Sequence, residues 1–144
     1  MAEVVLDANL IVALLYEGDV HHRRAKELAD RLEADGHILV LLDVLVYEAV
    51  PVLCRRAREK KTSPPNLVRV LAAVRGWFDE GLVRFVADEA SRLVADVLDV
   101  IQDTAGALNF NDALLVVLES EGIIDKLASF DPGFDAVAGF PRIA

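Results

Sequence analysis

Between Glu3 and Leu15 the apolar residues change period, and that change restricts the fold more than any other feature of the chain. Val4, Val5 and Leu6 form a short continuous apolar run of the kind buried on both faces of a sheet, and the run stops abruptly at Asp7. From there Leu10, Ile11, Leu14 and Leu15 follow helical spacing, so strand gives way to helix within about two residues. Asp7 falls at the carboxyl end of the strand, where open α/β sheets bind their ligands. It is therefore a candidate site residue, although an aspartate there can equally do no more than cap the helix.

The alternation recurs along the chain. His21 to Leu32 reads as an amphipathic helix ended by Asp35-Gly36, and His37 to Leu41 as a second buried strand. Asp43 can cap a helix from Val44 to about Lys60, stopped by Pro64-Pro65. A helix from Asn66 to about Asp79 precedes a strand at Leu82 to Val86. Asp88 to Asp103 has helical spacing, with Leu93, Val94, Val97, Leu98 and Ile101 expected to face inward. Asn109 opens a helix over Phe110 to Glu121, Ile124 to Ala128 is a strand, and Phe140 to Ile143 a final edge strand. Strands separated by helices imply one α/β domain over residues 1–144, with a parallel sheet, right-handed crossovers and helices on both faces.

Composition narrows the functional classes. No apolar run approaches the roughly 18 residues of a membrane span, and no basic-then-apolar leader is present, so a cytoplasmic protein is expected. Cys54 is alone, which excludes an internal disulfide and a cysteine-based zinc cage. The net charge of −9 argues against a nucleic-acid binder, yet Arg55, Arg56, Arg58, Lys60 and Lys61 are interrupted only by Ala57 and Glu59, and Arg23, Arg24 and Lys26 make a second basic group. A basic cluster at a helix end serves either the helix dipole or a phosphate. An acidic protein can still hold a polyanion if divalent cations neutralise its site.

Four acids occupy comparable places. Asp7 and Asp131 follow strands, Asp112 opens a helix, and Glu48 interrupts an otherwise apolar helical segment, where an unpaired buried carboxylate is costly. Each has an ordinary explanation: a cap for Asp7, an ion pair with an arginine for Glu48, a capping partner of Asn109 for Asp112, an Asp-Pro-Gly turn for Asp131. Together they can converge on one edge of a parallel sheet. Such a cluster repels itself unless protons or cations offset the charge, and oxygen donors without cysteine or convergent histidine suit Mg²⁺ or Mn²⁺. His21, His22 and His37 are expected to be structural or solvated. Pro51 costs about 3 kcal/mol or more within a helix, so the helix carrying Glu48 either kinks there or has other bounds.

The chain resembles the PIN-domain proteins found as VapC-type toxins of toxin–antitoxin modules. The resemblance rests on Val5-Leu6-Asp7-Ala8-Asn9-Leu10, Tyr47-Glu48-Ala49-Val50, Asn111-Asp112-Ala113-Leu114-Leu115 and Ser129-Phe130-Asp131-Pro132-Gly133-Phe134-Asp135, in that order over nearly the whole chain. It departs at Pro51 and at Leu45-Val46-Tyr47, where a small polar residue often precedes the glutamate. The resemblance implies a five-stranded parallel sheet in order 3-2-1-4-5 and a Mg²⁺- or Mn²⁺-dependent ribonuclease. It also implies a homodimer and a small antitoxin partner. Metal-ligand and catalytic roles carry over to Asp7, Glu48, Asp112 and Asp131, with Asn9 and Ser129 as polar neighbours of the acids. Arg55, Arg56, Arg58, Lys60 and Lys61 are the candidates for guiding RNA. A non-catalytic interaction module on the same fold is the alternative.

Overall fold

A computed structural model describes residues 1–59, 61 and 63–144. The strands are β1 (Glu3–Leu6), β2 (Ile38–Leu42), β3 (Val83–Arg84), β4 (Lys126–Ala128) and β5 (Arg142–Ile143). All their pairings are parallel, in the order β3-β2-β1-β4-β5. β1 is central, with Val4 and Val5 fully buried, which is why its apolar run is continuous rather than alternating.

Among the described residues seven α-helices connect the strands, α1 (Ala8–Leu15), α2 (His22–Ala34), α3 (Asp43–Arg58), α4 (Leu67–Asp79), α5 (Ala87–Arg92), α6 (Val94–Asp103) and α7 (Phe110–Ser120), and a 3-10 helix (Pro132–Ala136) joins β4 to β5. From β1 the chain winds outward through β2 to β3, then crosses back over the sheet to β4. Right-handed crossovers therefore put α1 to α4 on one face and α5 to α7 on the other. The packing agrees: α1 touches α2 and α3, and α3 touches α4, whereas α6 packs on α5 and α7. Every residue from Ala113 to Leu118 in α7 is buried, as expected of a helix held between the sheet and a second helix. Among the described residues no helix is long and apolar enough to cross a membrane.

Several boundaries differ from the sequence expectation. Asp43 is the first residue of α3 rather than its cap, and its Oδ1 accepts the Val86 N–H at 2.9 Å. β2 ends at Leu42, in register with Arg84, so β3 has two residues and Val86 finds its partner in Asp43 instead of the ladder. The expected helix from Asp88 to Asp103 is two, broken at the buried Leu93; Val97 is buried too, but Val94 and Leu98 face outward. β4 starts at Lys126 because the Ile124 N–H turns back to the Leu118 carbonyl at the end of α7. α3 runs through Pro51, which is exposed, as is Tyr47, whose carbonyl lies one turn back and would otherwise have accepted a bond from position 51.

Candidate active site

The ladder between β1 and β4 continues one step past the assigned strands. Leu6 is in register with Ala128, the Asp7 N–H donates to the Ala128 carbonyl at 3.0 Å, and the Ser129 N–H donates to the Ile143 carbonyl at 2.9 Å. Asp7 and Ser129 thus stand side by side where the winding of the sheet reverses, the place at which open α/β sheets form a crevice. Ser129, fully buried, donates to Asp7 Oδ2 at 2.5 Å. Asn9 donates to both, at 3.3 Å to Asp7 Oδ2 and 3.1 Å to Ser129 Oγ, and its own oxygen accepts the Phe130 N–H. The Asp131 N–H also donates to Ser129 Oγ, at 3.1 Å. These bonds leave the Asp7 carboxylate little freedom to turn.

Asp7 also caps α1 by accepting the Ala8 N–H at 2.8 Å, so capping and site placement coexist in one residue. Asp112 keeps its expected capping relation, its N–H donating to Asn109 Oδ1 at 2.9 Å. Asp131 keeps its turn, accepting the Gly133 N–H at 2.8 Å. Among the described residues Glu48 forms no ion pair with an arginine; its polar neighbour is Asn111, whose Nδ2 lies 3.4 Å from Oε2.

All four acids line one open cleft of about 300 Å³. Their titration reflects that closeness. Burial pushes the Asp7 carboxyl above its ordinary range, against the pull of Ser129 and Ala8, and the charge of Asp131 raises it further. Glu48 is raised by burial and by Asp7. Asp112 is pushed up to about 6, by burial first and then by the charges of Asp7, Asp131 and Glu48. Among the described residues none of the four forms an ion pair with a basic side chain.

The basic candidates divide. Glu48, Val52 and Arg56 are spaced by four along α3, so Arg56 reaches the cleft below Glu48. Arg56 also lies 3.8 Å from Glu59; Arg55 and Lys61, at 4.0 and 3.5 Å from the same Glu59, do not line the cleft, and Arg58 is exposed. Lys60 lies outside the described residues.

Two cleft residues escaped the sequence reading. Asp19 accepts the His21 backbone N–H at 2.8 Å, and both line the cleft; His21 is exposed, as expected, but at the cleft's edge. Nothing local in Glu17-Gly18-Asp19 distinguishes that break from any other turn. The other histidines are structural: His22 Nδ1 lies 2.6 Å from the Ala13 carbonyl, and His37 Nδ1 accepts the Ala2 N–H.

A model of the PIN domain matches residues 4–140. The chain belongs to the PIN domain family. Among solved structures this PIN domain is similar to VapC20 of Mycobacterium tuberculosis, described as a sarcin-ricin loop cleaving toxin, at 22% identity and a TM-score of 0.67, over 97% of this chain and 98% of that one. It is also similar to PAE2754 of Pyrobaculum aerophilum, at 20% identity and a TM-score of 0.56, over 98% and 83%. A third is FitAcB of Neisseria gonorrhoeae, at 14% identity and a TM-score of 0.61, over 98% and 96%. At such identities the likeness is one of fold. No curated protein sequence matches the chain.

Proposed function

We propose that this PIN domain is a Mg²⁺- or Mn²⁺-dependent endoribonuclease, the cytoplasmic toxin of a toxin–antitoxin pair. The observation that carries the proposal is the convergence of Asp7, Glu48, Asp112 and Asp131, from four separate elements, on one cleft in which, among the described residues, none of them forms an ion pair with a basic side chain. Oxygen-only donors whose own charges raise one another's proton affinity suit a hard divalent cation. Asp7, Glu48 and Asp112 would hold it, with Asp131 completing the set directly or through water. Such a cation, when bound, supplies a water activated at neutral pH and offsets charge on the phosphodiester.

The protein's own groups do the rest. Ser129 and Asn9 hold the Asp7 carboxyl in one orientation, and Asn111 lies against that of Glu48. Arg56 presents the positive charge nearest the cleft to the RNA backbone. The expected products carry 5′-phosphate and 3′-hydroxyl ends. A homodimer and an antitoxin partner belong to the same reading, and exposed Tyr47, Leu82, Phe85 and Leu98 supply apolar surface for them.

The alternative, a non-catalytic interaction module, is favoured by one observation. Among the described residues no three histidine, cysteine, aspartate or glutamate side chains stand at coordinating separation. Two measurements separate the readings. As a nuclease, the wild type hydrolyses single-stranded RNA in Mg²⁺ or Mn²⁺ and Asp7→Asn does not. A bound cation also raises the melting temperature, by about 2.7 kcal/mol of added stability at a hundredfold excess over Kd. Equal RNA hydrolysis by the two proteins removes Asp7 from the chemistry, and an unchanged melting temperature at millimolar metal favours the module.

A further inference from the structure

One wall of the cleft carries a feature that the acids do not explain. The Phe130 ring lies 5.3 Å from the His21 ring, tilted by 44°, and the Arg24 guanidinium sits 4.3 Å from the Phe130 centroid. Phe130 is anchored to the acid site, because its N–H donates to Asn9 Oδ1, and Asn9 in turn bonds Asp7. His21 is anchored as well, through its N–H to Asp19, and lines the cleft while remaining exposed. Among the described residues Arg24 pairs with no carboxylate, whereas neighbouring Arg23 is paired with Glu27 at 3.0 Å. Exposed His21 and Arg24, both in contact with the half-buried Phe130 ring at the edge of the acid-lined cleft, have the chemistry that single-stranded nucleic acids require: a flat face for a base and a charge for its phosphate.

We propose that His21, backed by Phe130, is the platform on which one unpaired nucleobase stacks next to the bond to be cut, and that Arg24 holds the adjoining phosphate. The inference rests on the nuclease reading and deepens it by naming the substrate as RNA with an unstacked nucleotide at the cleavage point. In a duplex that base face is already covered by its neighbours, so paired RNA cannot use the platform.

The test is binding, measured by fluorescence anisotropy in Mg²⁺ with the full chain carrying Asp7→Asn to halt turnover. The probes are a labelled single-stranded oligoribonucleotide and a strand of equal length and charge whose central nucleotides are abasic. The base-bearing probe is expected to bind on the order of tenfold more tightly. His21→Ala and Phe130→Leu should abolish that preference, and His21→Phe should restore it. Arg24→Ala should weaken both probes alike and make the salt dependence shallower by about one phosphate contact. A preference for bases that survives His21→Ala, or no preference at all, overturns the proposal. Wild type and Asp7→Asn both keep His21, Phe130 and Arg24, so comparing their hydrolysis of RNA tests the nuclease reading separately from the base platform.

Discussion

Asp7 and Asp43 occupy matching positions in the fold, yet they do different work. Each follows a strand, each stands at the start of a helix, and each is buried, at 4% and 1% exposed. Asp43 has one hydrogen-bond partner for its carboxylate, the Val86 N–H on Oδ1, and its Oδ2 has none among the described residues. It ties the end of β3 to the start of α3. Asp7 instead meets side chains, Ser129 and Asn9, and shares a cleft with three other acids. The difference follows from sheet order. β2 has neighbours reached by winding in one direction, whereas the winding reverses beside β1, where open α/β sheets form their ligand crevice and where the acid-lined cleft lies. A buried acid at a strand end is therefore not in itself a site.

The largest expected effect contrasts the two residues directly. Asp7→Asn should lower RNA hydrolysis by more than the roughly 10–100-fold that loss of an outer partner of a metal ligand costs, while cooperative melting persists. Asp43→Ala should leave hydrolysis per folded molecule unchanged. A similar loss of hydrolysis in both variants would erase the distinction.

Ser129→Ala comes next. It removes the bond that holds Asp7 in place and favours its ionised form, and a loss of about 10–100-fold in hydrolysis is expected, with Ser129→Thr recovering part of it. Smaller still is the stability cost of Asp43→Ala. Leaving the Val86 N–H unsatisfied should cost about 1–3 kcal/mol, read from chemical denaturation. No cost would mean that water replaces the carboxylate.

The pH response sharpens the comparison from the other side. Asp112, pushed up to about 6 from an ordinary 3.8, stays protonated in the folded protein over a range where the unfolded chain has released its proton. The folded state binds the extra proton there, so stability of the metal-free protein should fall as pH rises from about 4 to 6 and stay lower above that. Hydrolysis should rise through the same window as the carboxylate ionises. Asp112→Asn should flatten the stability slope, and saturating Mn²⁺ should offset the decline. Asp43→Ala should leave the slope in place, since Asp43 is not among the charges acting on Asp112.

Much of the architecture was legible because its causes are local. The continuous run Val4-Val5-Leu6 announces a strand buried on both faces, and the even spacing of β and α segments announces a parallel sheet. The four acids stood out in the sequence only jointly, since each by itself has an ordinary explanation as a cap, a turn or an ion-pair partner. The same local reasoning erred at Asp43, where a cap was expected. It also joined α5 to α6, because the pattern from Asp88 to Asp103 shows no break at Leu93.

What the chain determines alone is thus its periods, its breaks and the position of each carboxylate relative to an element end, all set by forces acting over a few residues. What tertiary structure decides is which side chains share a space: that Ser129 stands under Asp7 from 122 positions away, that Asp19 and His21 join the cleft, and that Asp43 does not. Those outcomes depend on where strand winding reverses, and the reversal is a property of the whole sheet that no short window of sequence contains.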